Sequence, residues 1–128
     1  MTTKSTSEKT LYARIGGYDV IAAVVDEFLQ TLSTDPQMAR FSASMNLDSR
    51  KRNRQLTLDY LAAASGGPTL YLGKDMKPAH AGLGISAGDW KIAMDHIERA
   101  LAKFKLPERE SKELLAIVDD LGGDIVEP

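Results

Sequence analysis

Of the 128 residues only two are histidines, His80 and His96, and cysteine is absent. Thiolate ligands, cysteine nucleophiles and disulfides are therefore excluded. His80 sits in the stretch Met76-Lys77-Pro78-Ala79-His80-Ala81-Gly82-Leu83-Gly84-Ile85. Asp75 can cap a helix there, and Pro78 falls in the first turn, where its missing N–H breaks no intrahelical bond. Gly82 and Gly84 stop that helix about two turns later. So short a helix holds one imidazole rigidly beside Met76, Leu83 and Ile85. A neutral imidazole in an apolar wall is what an axial iron ligand requires. The same residues also suit a histidine hydrogen-bonded at the edge of a core. His96 lies off the apolar stripe of its own segment and reads as a surface or helix-contact histidine.

The elements that must position His80 are bounded by composition. Residues that are 43% hydrophobic and 27% charged make an ordinary soluble globule, and the length allows one core rather than two. A formal charge of −2 and a pI near 5.7 argue against a nucleic-acid or anionic-membrane surface. Residues 1–9 are rich in Ser, Thr and Lys and read as a mobile extension, with one domain over residues 10–128. The start of the chain lacks the apolar segment of a signal peptide, and no apolar run approaches the roughly 18 residues of a membrane span. A cytoplasmic location is expected.

Taken in order, Leu11 to Ile15 predict a turn or two of helix before Gly16-Gly17. From Asp19 as cap, Ile21, Val24, Val25, Phe28, Leu29 and Leu32 recur at helical spacing until Asp35-Pro36 ends the run. Gln37 to Phe41 predict a further turn and Ser42 to Leu47 a loop. Asp48 is the expected cap of a helix reaching about Ser65, before Gly66-Gly67-Pro68. The basic run from Arg50 to Arg54 reads as a solvated face. One stripe of this helix carries Asn53, Thr57, Tyr60, Leu61 and Ala64, a mixture that can face either a cavity or the core. After a loop over residues 69–74 comes the His80 helix. Ser86 and Asp89 have capping-box spacing and open a helix with Trp90, Ala93, Met94, Ile97, Leu101 and Phe104 on one face. Pro107 begins a last helix through Leu114, Ile117, Val118, Leu121 and Ile125, its final turn weakened by Gly122-Gly123. The fold class is all-α.

This order of signals resembles the group I truncated haemoglobins, a globin-like family with a two-over-two helical sandwich. The resemblance is carried by Leu11-Tyr12, Ile15-Gly16-Gly17, Val24 to Phe28, Asp35-Pro36, Ala62 to Pro68, Tyr71 to Lys77 and Ala79 to Ile85. It spans Thr10 to about Val126, and three landmarks in order make the combination specific.

The resemblance implies haem b as cofactor and His80 as the proximal metal ligand. Nε2 of His80 would bind iron while Nδ1–H donates to the carbonyl of Met76. The haem faces would lie against Phe28, Leu29, Tyr60, Leu61, Met76, Leu83, Ile85, Trp90, Met94 and Ile117, although each also suits an ordinary core. Lys74, Lys77 and Arg52 are the cations offered to the propionates. On the distal side Phe28-Leu29 replaces the Phe-Tyr pair that the family often carries, so the tyrosine hydroxyl is missing. Asn53 and Thr57 are the donors offered to a bound ligand, each worth on the order of 1 kcal/mol net. Leu56 cannot close the sixth position. Phe41-Ser42 stands where the family usually has Phe-Phe, leaving Phe41 as the ring available to the haem. The preceding loop is longer than usual, so a register slip would bring Gln55 to the iron instead.

The function implied is reversible binding of O₂, NO or CO, with faster O₂ release than in tyrosine-bearing relatives. The family also permits nitric oxide dioxygenase or weak peroxidase activity with a reductase partner, but the sequence offers no extra acid–base pair for it. A haem-free interaction domain is the alternative that Ser42 favours. A monomer or weak dimer is expected.

Overall fold

The computed structural model describes residues 9–127. The mobile extension expected over residues 1–9 lies, apart from Lys9, outside the described residues. Seven α-helices and one 3₁₀ turn form among the described residues, and no strand does. They are α1 (Leu11–Ile15), α2 (Tyr18–Thr34), the 3₁₀ turn Ala39–Phe41, α3 (Leu47–Ala64), α4 (Met76–His80), α5 (Ala87–Lys103), α6 (Glu108–Asp119) and α7 (Gly122–Ile125). α2 packs on both α3 and α5, and α6 packs on α5, so two helix pairs lie one over the other. The short α4 docks on α7.

Helical spacing of apolar residues explains the core. Ile21, Val24 and Val25 of α2 meet Leu58, Leu61 and Ala62 of α3, Ala100 and Leu101 of α5, and Leu114 of α6. Val25 and Leu58 expose nothing, and each such side chain contributes about 1.5–3 kcal/mol by leaving water. The Gly66-Gly67 break works by close approach. A Cβ on Gly67 would lie 2.5 Å from the Tyr12 ring and 2.9 Å from the Ala62 carbonyl oxygen, so only glycine lets α1 lie against the end of α3.

Four expectations are corrected at helix ends. α2 starts at Tyr18 with Gly17 as cap, and Asp19 falls in the first turn, where a carboxylate still complements the helix dipole. α3 is capped by Asn46, whose Oδ1 accepts the Ser49 N–H at 2.8 Å, so Asp48 is already helical. The His80 helix is five residues long and ends at His80, because Ala81 after it is already extended, before either glycine is reached. Asp75 occupies its cap position without a side-chain capping bond. The last helix ends at Asp119, and Gly122–Ile125 form the separate α7. The capping box opening α5 forms as expected, with Ser86 and Asp89 each accepting the other's backbone N–H at 3.0 Å.

Candidate functional site

His80 is half-buried at the end of α4, and its Nδ1 lies 2.8 Å from the Met76 carbonyl oxygen. A carbonyl can only accept, so Nδ1 carries the hydrogen and, in the neutral ring, Nε2 carries the lone pair. No described residue hydrogen-bonds Nε2. The ring is thus oriented by its own helix, one turn back, with a single basic nitrogen left for a ligand.

A cavity of about 490 Å³ lies between α3, residues 71–78 and α7, within the roughly 300–1,000 Å³ typical of small-molecule sites. Tyr60, Tyr71, Asp75, Met76, Lys77, Pro78, Leu121 and Asp124 line it. Tyr60 and Tyr71 meet edge to face, their ring centroids 5.2 Å apart, and the Tyr71 hydroxyl donates to the Lys74 carbonyl at 2.6 Å. Burial, followed by the nearby Tyr60 and Asp75, raises the Tyr71 phenol above its ordinary range. Tyr71 and Leu121 are wall residues that the site reading did not include, although Tyr71 stands in the Tyr71-Leu72-Gly73 landmark.

The structure divides the expected residues among several surroundings. Tyr60, Met76 and Lys77 share this cavity. Trp90 and Met94 instead line an open groove of about 1040 Å³ between α5 and α6, together with Leu115 and His96. Leu61 is buried in the helical core, and Leu29 and Ile117 pack against it. Phe28 and Ile85 are half-buried, whereas Leu83 is 46% exposed. On the α3 stripe that could face either a cavity or the core, Ala64 is exposed to solvent. Lys74, Lys77 and Arg52 are exposed. Phe41 is half-buried, with the Arg40 guanidinium 4.2 Å from its ring centre.

Asn53 and Thr57 are both half-buried on α3. The Thr57 hydroxyl donates back to the Asn53 carbonyl at 2.8 Å, so its hydrogen is engaged within the helix. The Asn53 side-chain amide makes no hydrogen bond to a described residue. Gln55 is exposed and donates to the Tyr18 hydroxyl at 3.1 Å and to Asp59 at 2.9 Å, on a different side of α3. His96 is the helix-contact histidine of the two readings. It is buried, with Nε2 2.7 Å from Asp35 Oδ2, which ties α5 to the end of α2 and lowers the Asp35 pKa. Its partner lies 61 residues away in sequence, beyond the reach of any periodicity.

No described helix is long and apolar enough to cross a membrane. Among the described residues no group of three or more acidic, histidine or cysteine side chains could hold a metal ion.

The family model described as bacterial-like globin matches residues 10–127. The group 1 truncated haemoglobin GlbN of Mycolicibacterium paratuberculosis is 31% identical over 116 residues, covering 91% of this chain and 83% of that protein. GlbN of Nostoc sp. (strain MUN 8820) is 30% identical over 117 residues, covering 91% and 97%. Among solved structures, the Fe(III) form of truncated haemoglobin from Tetrahymena pyriformis matches with a TM-score of 0.84 at 21% identity, covering 94% of this chain and all of that one. The 2/2 haemoglobin of Synechococcus sp. PCC 7002, described in the cyanomet state with covalently attached haem, matches with a TM-score of 0.81 at 19% identity, covering 91% and 95%. At these identities the structural matches establish the two-over-two fold.

Proposed function

This chain belongs to the bacterial-like globin family, among the group I truncated haemoglobins, and on that premise we propose that it holds haem b through His80 and reversibly binds diatomic gases. The observation that carries the reading is the pair of nitrogens on His80. Nδ1–H is committed to Met76, and Nε2 has a lone pair with no partner among the described residues. A porphyrin brings four ligands of its own, which suits a site where the protein offers a single donor. When bound, the haem supplies an iron whose sixth position takes O₂, NO or CO.

Residues of α4 and of the cavity beside it suit such a group, although His80 is not itself among the residues that line that cavity. Met76 and Tyr60 offer apolar walls, and Lys74 and Lys77, exposed beside α4, offer charge to the propionates. Lys77 is the better situated of the two, because it lines the cavity itself. On the distal side the Asn53 amide is the available donor, since the Thr57 hydroxyl already serves the Asn53 carbonyl. Leu29 packs with the core and donates nothing, which favours faster O₂ release than in relatives with tyrosine there. A reductase that returns the iron to its ferrous form and a cytoplasmic location belong to this reading.

The test is spectroscopic. Purified protein given haem should develop a Soret band and a carbonmonoxy spectrum, and His80→Ala should lose both. Wild-type protein that takes up no haem would instead support the haem-free interaction domain.

A further inference from the structure

α4 is five residues long, and none of them is buried. A helix that short has little stability of its own, so something outside it must fix where its last residue lies. The segment after α7 supplies that constraint. Gly82 and Gly84 both have positive φ, +82° and +70°, which turns their N–H groups toward one side of the loop that follows His80. Both N–H groups donate to the Glu127 carboxylate, Gly84 to Oε1 at 2.8 Å and Gly82 to Oε2 at 3.2 Å. The Glu127 backbone N–H donates in turn to the Ile85 carbonyl at 2.8 Å. One residue thus binds the loop at three successive points beyond the imidazole.

Glu127 is itself anchored. α7, immediately before it, lies on α4, and a Cβ added to Gly122 would come within 2.9 Å of the Trp90 indole nitrogen on α5. The connection runs from the rigid α5 through Trp90 and Gly122 to Glu127, then to Gly82 and Gly84, and so to His80. The Gly84 and Gly82 N–H groups also hold the Glu127 carboxyl below its ordinary range, as expected of an acceptor whose charged form is the one being bound.

We propose that Glu127 is the positioning residue of the proximal side, clamping the Gly82–Gly84 loop so that the His80 imidazole keeps a fixed angle to the haem. The proposal rests on the haem reading for its consequence at iron, but the clamp exists in the protein alone. Two measurements therefore separate the two claims.

In haem-free protein, amide exchange at Gly82 and Gly84 should accelerate by roughly tenfold in Glu127→Ala, and less in Glu127→Gln, which keeps one acceptor oxygen. In haem-loaded ferrous protein, the iron–histidine stretching band should shift or broaden in Glu127→Ala, with partial recovery in Glu127→Gln. Lys103→Ala, which removes the ion pair to Glu27 on the far side of α5, should leave the band unmoved. Unchanged exchange in Glu127→Ala overturns the clamp, whether or not haem binds. Faster exchange with an unmoved band overturns the positioning of His80. If wild-type protein takes up no haem, the haem reading falls, and the exchange result still decides the clamp. If Glu127→Ala fails to fold, Glu127→Gln carries both measurements, with exchange about threefold faster expected from losing one acceptor.

Discussion

Two regions of this chain are built in opposite ways. Where α2, α3, α5 and α6 meet, Ile21, Val25, Leu58, Leu101 and Leu114 are each no more than 1% exposed. From Gly66 to Gly88, which includes all of α4, no residue is buried, and Leu70 and Leu72 are 74% and 82% exposed. The first region is sealed by its own side chains. The second rests on the docking of α4 on α7, the Tyr60–Tyr71 ring contact and hydrogen bonds such as Tyr71 to Lys74, His80 to Met76, and Gly82 and Gly84 to Glu127. Burial is concentrated in the four-helix scaffold, and the proposed haem ligand lies in a segment that adds little to it. Such a segment is free to be ordered by what it binds.

The contrast breaks most visibly in the scaffold. Leu101→Ala should lower the free energy of unfolding in urea by about 2–5 kcal/mol, because Leu101 is 1% exposed within the same buried cluster as Val25 and Leu58. Haem at a hundredfold excess over its dissociation constant should then raise wild-type stability by about 2.7 kcal/mol, with the new amide protection concentrated in residues 71–84. His80→Ala should show no such protection, and protection spread evenly over α2 and α5 would mean that the segment is not where binding acts.

A smaller effect is expected at Asp89, which joins the two regions. Its carboxylate accepts the Ser86 N–H at 3.0 Å and the Gln37 side-chain amide at 3.0 Å, and pairs with Arg40 at 2.6 Å. These bonds, that of Ser86 first, pull its pKa from 3.8 down to about 2. A depressed carboxylate stabilises the fold above its unfolded pKa and loses that contribution as pH falls through the folded value. Asp89→Asn should therefore be least stable relative to wild type at neutral pH, and the gap should close between about pH 4 and pH 2 in acid titrations followed by circular dichroism. The smallest effect belongs to Leu72→Ala, within about 0.5 kcal/mol of wild type in the same urea assay, since that side chain is already in water.

Sequence periodicity was sufficient where burial is one-sided. The apolar spacing in α2 and α5 and the Ser86–Asp89 box are local signals, and the structure contains the elements they predict. The bond between His80 and Met76 was expected from the family resemblance, and it forms between residues four apart, one turn of the same helix. Competing local signals were harder to separate. Asn46 and Asp48 are both good caps by residue type, and Asn46 takes the role, with extended backbone and its side chain accepting the Ser49 N–H. An apolar stripe does not by itself say what it meets. Leu61 and Leu83 have equal hydrophobicity, yet one is sealed in the core and the other is nearly half exposed. Asp35 with His96, and Glu127 with Gly84, pair residues 61 and 43 apart, which only the assembled chain brings together.

Arg14 reaches from α1 to Glu110 and Glu113 on α6, at 2.6 and 2.7 Å, across sequence separations of 96 and 99. A loop that long carries a closure entropy that grows with its length, and the bridge is therefore expected to form late, once the intervening helices bring its ends together. Interactions made after the folding barrier govern the lifetime of the finished molecule and leave its rate of formation unchanged. Stopped-flow unfolding of Arg14→Met should accelerate while refolding stays as it was. The short first helix, which contributes little to the site, would then be the timekeeper of the whole domain.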